Sequence, residues 1–175
     1  MKKYVLYTDT NSGNKIKAIK NVAKKIEALE IPVVKKFPEP KIKEHILMTK
    51  KDVEAGAINR SYRPSVELQI PLHAWQIGIQ KGFYRDAEGN YYLIHAVALS
   101  ENGSYTKPII VFAQIPVNEK MAERLKAYKE FTSPVPLYEQ LTGKSEIKWY
   151  ESTIEQAISQ LLKQKKRRNQ KAIHL

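Results

Sequence analysis

Between Val66 and Ile115 the sequence holds four runs of strand-type residues, at 66–72, 74–80, 91–99 and 108–115. They are rich in β-branched and aromatic side chains, which pack well on a pleated surface. Two of the separators, 86–90 and 101–104, have turn composition and the length that joins neighbouring antiparallel strands. A chain with such a centre builds its core on a β-meander, and its two ends must supply the layer that covers it.

The ends have the pattern to do so. Tyr4 to Tyr7 reads as a short strand, followed by a loop from Asp9 to Asn14. Ile16, Ile19, Val22, Ala23, Ile26 and Leu29 then fall on one side of a helical wheel, which predicts a helix over 14–30 with Ser12 or Asn11 as N-cap. Residues 31–37 read as a second strand, stopped by Pro38 and Pro40. A helix is expected over 43–54, and a loop over 59–64. Beyond the meander, Asn118 is placed to cap a helix reaching about Phe131, and a helical turn is expected at 138–141. Residues 147–150 read as an edge strand, and Ser152 with Glu155 forms a capping-box pattern that opens a final helix. The expected fold is α+β: a central mixed or antiparallel sheet, made of an N-terminal βαβ unit and a β-meander, flanked by about three to four helices. One domain is expected over 1–162, with a basic, frayed tail over 163–175.

Lysine and arginine number 30 against 18 acids, for a net charge of +12. The excess sits at the ends: +7 over residues 1–50, none over 51–100, +1 over 101–150 and +4 over 151–175. Lys17, Lys20 and Lys24 lie opposite the apolar stripe of the first helix, with Lys25 beside them. The tail carries Lys163, Lys165, Lys166, Arg167, Arg168 and Lys171 with no acid among them. Such patches neutralise phosphates, so a nucleic acid, DNA or RNA, is the expected partner, with Arg60 and Arg63 adding contacts near the sheet. Sequence specificity would be low. Tyr62, Trp75, Phe83, Tyr84, Tyr91, Tyr92 and Tyr105 offer either stacking surfaces for bases or ordinary core aromatics. An acidic protein is the alternative partner.

Chemistry has fewer candidates. The chain has no cysteine, which removes disulfides, thiolate ligands and a thiol nucleophile together. The loop from Asp9 to Lys15 follows a strand and opens a helix, where backbone N–H groups and the helix dipole favour an anion. This seven-residue loop resembles the phosphate loop of flavodoxins, a Thr/Ser-Gly-Asn run after the first strand, and the acidic loop of integrin-type metal-binding domains, with Asn11 and Gly13 where that motif has serines. The alternative function is thus a metal-dependent nuclease or other phosphoester-processing enzyme centred on Asp9, with Glu67, His73 or His95 as partner. A divalent metal enters only under that alternative; no spaced metal motif is present, and no cofactor is otherwise expected. His95 also reads as a core histidine, His45 and His174 belong to no motif, and Asp86 and Glu88 read as turn residues. The N-terminus lacks the apolar run of a signal sequence, and no stretch approaches the roughly 18 apolar residues of a membrane span. A soluble, cytoplasmic protein without membrane association is expected.

Overall fold

The computed structural model describes residues 3–10, 12–34, 47–127 and 135–173. The expected parts at Asn11, 35–46 and 128–134, and His174, lie outside them. The fold is α+β, with a mixed six-stranded sheet flanked by helices. Strand β1 (Leu6–Thr8) leads through helix α1 (Gly13–Lys25) to β2 (Val33–Val34), which pairs with β1 in parallel. Strand β3 (Leu47–Met48) precedes helix α2 (Lys50–Glu67). Strands β4 (Trp75–Arg85), β5 (Tyr91–Glu101) and β6 (Ile109–Val117) form the antiparallel meander. Helices α3 (Glu119–Ala127), α4 (Leu137–Thr142) and α5 (Glu146–Ile173) complete the described chain. The order β2-β1-β4-β5-β6 joins the βαβ unit to the meander through parallel pairing of β1 with β4.

The meander buries both faces because its strands alternate cleanly. Trp75, Ile77, Ile79, Val97, Leu99, Ile109 and Val111 face α1 and α5, meeting Ile19, Val22, Ile154 and Ile158. Ile94, Ala96 and Ala98 point the other way, onto Val53 and Ala57 of α2.

Several expected elements differ. In the helix expected over 43–54, Leu47–Met48 is strand β3 and the helix begins only at Lys50. Residues 59–64, read as a loop, and 66–67 of the strand read over 66–72 belong to α2, and 68–72 are not strand, so the meander has three strands where four runs were read. The composition of 59–64 favours a loop, but Val53, Ala57, Ser61 and Pro64 fall on one helical face and are buried against the sheet, and tertiary packing overrides weak local preference. Contact is close because β4 presents glycines there: a Cβ at Gly78 would collide with the backbone of Ala57 and Ser61, and one at Gly82 would meet Val53 Cγ2 at 2.6 Å. The helix starts at a capping box between Thr49 and Asp52.

Residues 147–150 are not an edge strand, and Ser152 is no N-cap: both lie within α5. Trp149 and Tyr150 have strand propensity, but Tyr150 is buried in the core and Trp149 stacks on Tyr138. Helix α5 also continues to Ile173, so 163–173 extend a helix where a frayed tail was expected. Asn118 does cap α3, its side chain accepting from Met121 N. Helix α1 ends at Lys25, short of Glu30, and Ser12 occupies its N-cap without a side-chain cap bond. Among the described residues no helix is long and apolar enough to cross a membrane.

Candidate functional site

Helix α1 carries the chain from β1 to β2 across one face of the sheet, while α2 lies on the opposite face and leads to β4 on the other side of β1. The connections therefore diverge at the carboxyl end of β1. In open sheets with parallel strands, such a divergence leaves a crevice where ligands bind. Asp9 and Thr10 sit there, both buried.

The crevice continues along β4. Its outer edge is covered by β1 at Trp75–Ile77 and by β3 at Phe83–Tyr84, leaving residues 78–82 without a strand neighbour on that side among the described residues. Charged side chains reach this gap from both faces. From α2, Arg60 and Arg63 approach the Asp9 carboxylate at 3.9 and 3.6 Å. They stand three residues apart, hence on one side of the helix. Arg60 Nε also donates to Gln80 Oε1 (3.0 Å), and Gln80 Nε2 donates to the Lys81 carbonyl (2.9 Å). From the other face, Lys15 Nζ donates to the Ile79 carbonyl (3.2 Å). Lys81 Nζ pairs with Glu146 at 2.7 Å, and Glu146 also accepts from Asn14 Nδ2 and the Tyr150 hydroxyl. The result is a linked polar chain, Asp9–Arg60–Gln80–Lys81–Glu146–Asn14, along residues 78–82 of β4.

Its electrostatics follow from burial. Desolvation works to raise the Glu146 carboxyl, but the Lys81 charge and hydrogen bonds from Lys81, Asn14 and Tyr150 outweigh it and hold the group below the ordinary carboxylate range. His95 faces Lys81 in register on the next strand. Burial, then the charges of Lys15 and Lys81, push its imidazole down to about 3. It is neutral at physiological pH, with Nε2 2.7 Å from Thr153 Oγ1 and its ring edge against Trp149. His95 is thus a core residue backing the site.

The fold brings Asp9, Arg60 and Arg63 together and leaves the other catalytic candidates apart. Glu67 is exposed at the end of α2. His73 precedes β4 whereas Asp9 follows the parallel β1, so they lie at opposite ends of that pairing. His73 adopts a positive φ of 66° and pairs with Glu101 at 2.7 Å. Asp86 is a turn residue, accepting from Asn90 N. Among the described residues no group of three or more histidine or acidic side chains is placed to hold a metal.

The candidate phosphate-binding lysines form a second region. Lys17, Lys20 and Lys24 are exposed on α1, as are Lys163, Lys166, Arg167, Arg168 and Lys171 on α5. Lys25 is exposed but pairs with Glu155 and Glu151. Lys165 pairs with Glu101 at 2.6 Å and lies over the Tyr4 ring, so it anchors α5 instead of facing outward. Of the aromatics, Trp75, Phe83 and Tyr84 are buried, Phe83–Tyr91 and Tyr84–Tyr92 stack on each other, and Tyr62 and Tyr105 are exposed.

Sequence reasoning missed Gln80 and Glu146; it placed Asn14 and Lys15 in the anion-favouring loop and did not link them, or Lys81, to one another. Lys81 had a readable signal: it interrupts the β4 face carrying Trp75, Ile77, Ile79 and Phe83. Glu146 had none, since its role depends on α5 starting six residues before Ser152.

No family model and no curated protein matches the chain. The fold is similar to the crystal structure of protein VC0702 from Vibrio cholerae, with a TM-score of 0.66 over 93% of this chain and 96% of that one, at 11% identity.

Proposed function

We propose that the crevice at the carboxyl end of β1 binds the phosphate group of a small phosphorylated molecule and that the protein hydrolyses it. The observation that carries this reading is the gathering of cations beside β1 and β4: Arg60 and Arg63 at Asp9, Lys15 at the Ile79 carbonyl, and Lys81 at Glu146. Cations that reach one crevice from both faces of a sheet are suited to the spread negative charge of a phosphoryl group in transfer. Hydrolysis asks for a water aligned on phosphorus, with the P–O bond to the leaving group breaking as the new bond forms and the leaving oxygen ending protonated. Asp9 is the residue assigned to orient that water. A hard divalent cation arriving with the substrate would take phosphate oxygens and one carboxylate, for which Asp9 is the donor at hand.

The test is phosphate release from a panel of phosphomonoesters, phosphodiesters and nucleoside polyphosphates, with and without Mg2+. Turnover of at least one small substrate that Asp9→Ala abolishes while binding survives supports the reading. A panel that is neither bound nor turned over rejects it.

A second reading rests on a different observation. Helices α1 and α5 pack side by side in the same direction, through Asn14–Glu146, Asn21–Glu151 and Lys25–Glu155. The lysine helix and the basic C-terminal helix thereby form one layer, which suits low-specificity contact with nucleic-acid phosphates. Absence of binding to mixed-sequence duplex and single strands at about 50 mM salt, where the phosphate contribution is strongest, would eliminate it.

A further inference from the structure

Helices α1 and α5 lie side by side but end at different levels. Helix α1 stops at Lys25, level with Glu155 through their ion pair, whereas α5 runs on to Ile173. At that step a groove of about 330 Å³ opens between the end of α1 and the continuing face of α5. Its floor is apolar, made of Ile26, Ile158 and Leu162. Glu155 closes one end, already engaged by Lys25. Ser159, Lys163 and Lys166 form the α5 side, and all three are exposed. Positions 155, 158, 159, 162, 163 and 166 share one side of a helix, and the rise from the first to the last is roughly 16 Å, about three helical turns.

The chemistry of the groove restricts what can fill it. A nucleic-acid backbone brings phosphates to the lysines but nothing to bury against an aliphatic floor. A second copy of this chain brings its own net charge of +12, and like charges repel. Past the groove α5 adds Arg167, Arg168 and Lys171, all exposed, and no acid occurs from 163 to 175. The occupant must therefore combine apolar side chains with negative charge placed toward Lys163 and Lys166. We infer that the groove docks an acidic amphipathic helix of a partner protein. Its apolar side chains, at i, i+3, i+4 and i+7, rest on Ile26 and Leu162, while its carboxylates face Lys163 and Lys166. The inference is independent of the phosphate crevice, and it adds to the lysines of the α1–α5 layer an apolar contact that nucleic-acid phosphates do not use. The surface is small, so the encounter is a weak, transient one.

The experiment measures, by fluorescence anisotropy, binding of the full chain to a labelled peptide of about 14 residues, roughly 21 Å as a helix. The peptide carries leucines at i, i+3, i+4 and i+7 and glutamates on its other face, and a scrambled peptide of the same composition is the control. The patterned peptide is expected to bind about tenfold more tightly than the scrambled one, which corresponds to about 1.4 kcal/mol. The second arm uses Ser159→Arg, which puts bulk into the groove, adds positive charge and places a better helix former on an exposed position. That variant is expected to keep its circular dichroism spectrum and Tm and to bind the patterned peptide about tenfold more weakly. Lys163→Ala with Lys166→Ala should weaken binding and reduce its dependence on salt. If the two peptides bind equally, or if Ser159→Arg leaves binding unchanged or strengthens it, charge alone is at work and the docking groove is wrong. A single-stranded oligonucleotide, or phosphatidylserine vesicles, binding more tightly than the patterned peptide and losing affinity with Ser159→Arg would assign the groove to that partner and overturn the inference. Absence of binding at about 1 mM patterned peptide overturns it as well.

Discussion

The molecule holds two concentrations of positive charge, and they are built in opposite ways. In the crevice, Arg60 and Arg63 keep only 14% and 26% of their side-chain surface and face an Asp9 side chain with none. On the α1–α5 layer Lys17, Lys20 and Lys24 stand in water, and Lys25 pairs with Glu155 with both partners about half exposed. Charge withdrawn from water is costly, so each buried group is held by a named partner and fixed in place. Charge left in water costs little and is screened within about 10 Å at 0.1 M salt. The first arrangement suits a defined small ligand, the second a diffuse polyanion.

The contrast breaks first at Asp9. Asp9→Ala leaves two arginines facing each other in a desolvated space and should destabilise the fold by about 3–5 kcal/mol in urea denaturation. A loss below about 1 kcal/mol would mean that the pocket is wet, and the distinction between the regions would fail.

Acid sharpens it next. The His95 imidazole is held near 3 in the folded protein against 6.5 as its unperturbed value. Between those values the unfolded chain binds a proton that the folded chain does not, so stability is complete above pH 6.5 and declines as pH falls. The loss should reach on the order of a few kcal/mol, and His95→Gln should flatten the slope between pH 6.5 and about 5. The Glu146 carboxyl, held below its usual 4.5, adds its own loss only as pH falls below that value.

Gly78→Ala tests how closely α2 must approach the sheet to deliver its arginines. The added methyl meets the backbone of Ala57 and Ser61, and the expected cost is about 1–3 kcal/mol from overpacking. Phosphate affinity should fall with it, because Arg60 and Arg63 move with the helix. Unchanged affinity would detach the arginines from the site. Smaller again is Glu101→Gln, which loosens the Lys165 anchor of α5; about 1 kcal/mol or less is expected, measured as a lowered Tm.

The smallest stability effect belongs to the surface. Lys17→Ala, Lys20→Ala and Lys24→Ala together should leave stability within about 0.5 kcal/mol per site. Any nucleic-acid binding by this layer would lose about 0.9 from its salt slope for each phosphate contact removed. The same triple variant should leave pyrophosphate binding untouched, which separates the two regions directly.

Much of this architecture is legible in the amino-acid sequence. The meander, the βαβ opening and the amphipathic α1 follow from period and turn chemistry, which are local properties of the chain. Asp9 at a strand end, Arg60 and Arg63 near the sheet, and lysines opposite the α1 stripe can also be named from sequence. What goes unread depends on contacts between distant segments. Residues 59–67 have the composition of a loop and strand, yet they are helix because Gly78 and Gly82 let α2 sit almost on the β4 backbone. Trp149 and Tyr150 favour strands, yet they are helix because among the described residues the sheet ends at β6 and their rings fill the core beneath α5. The site itself is out of reach for the same reason. Asn14, Gln80, Lys81 and Glu146 are ordinary residues on three separate elements, and only the divergence of connections at β1 and the interruption of the β4 edge bring them to one place. Periodicity determines which face of an element is buried; what that face meets is decided when the elements pack.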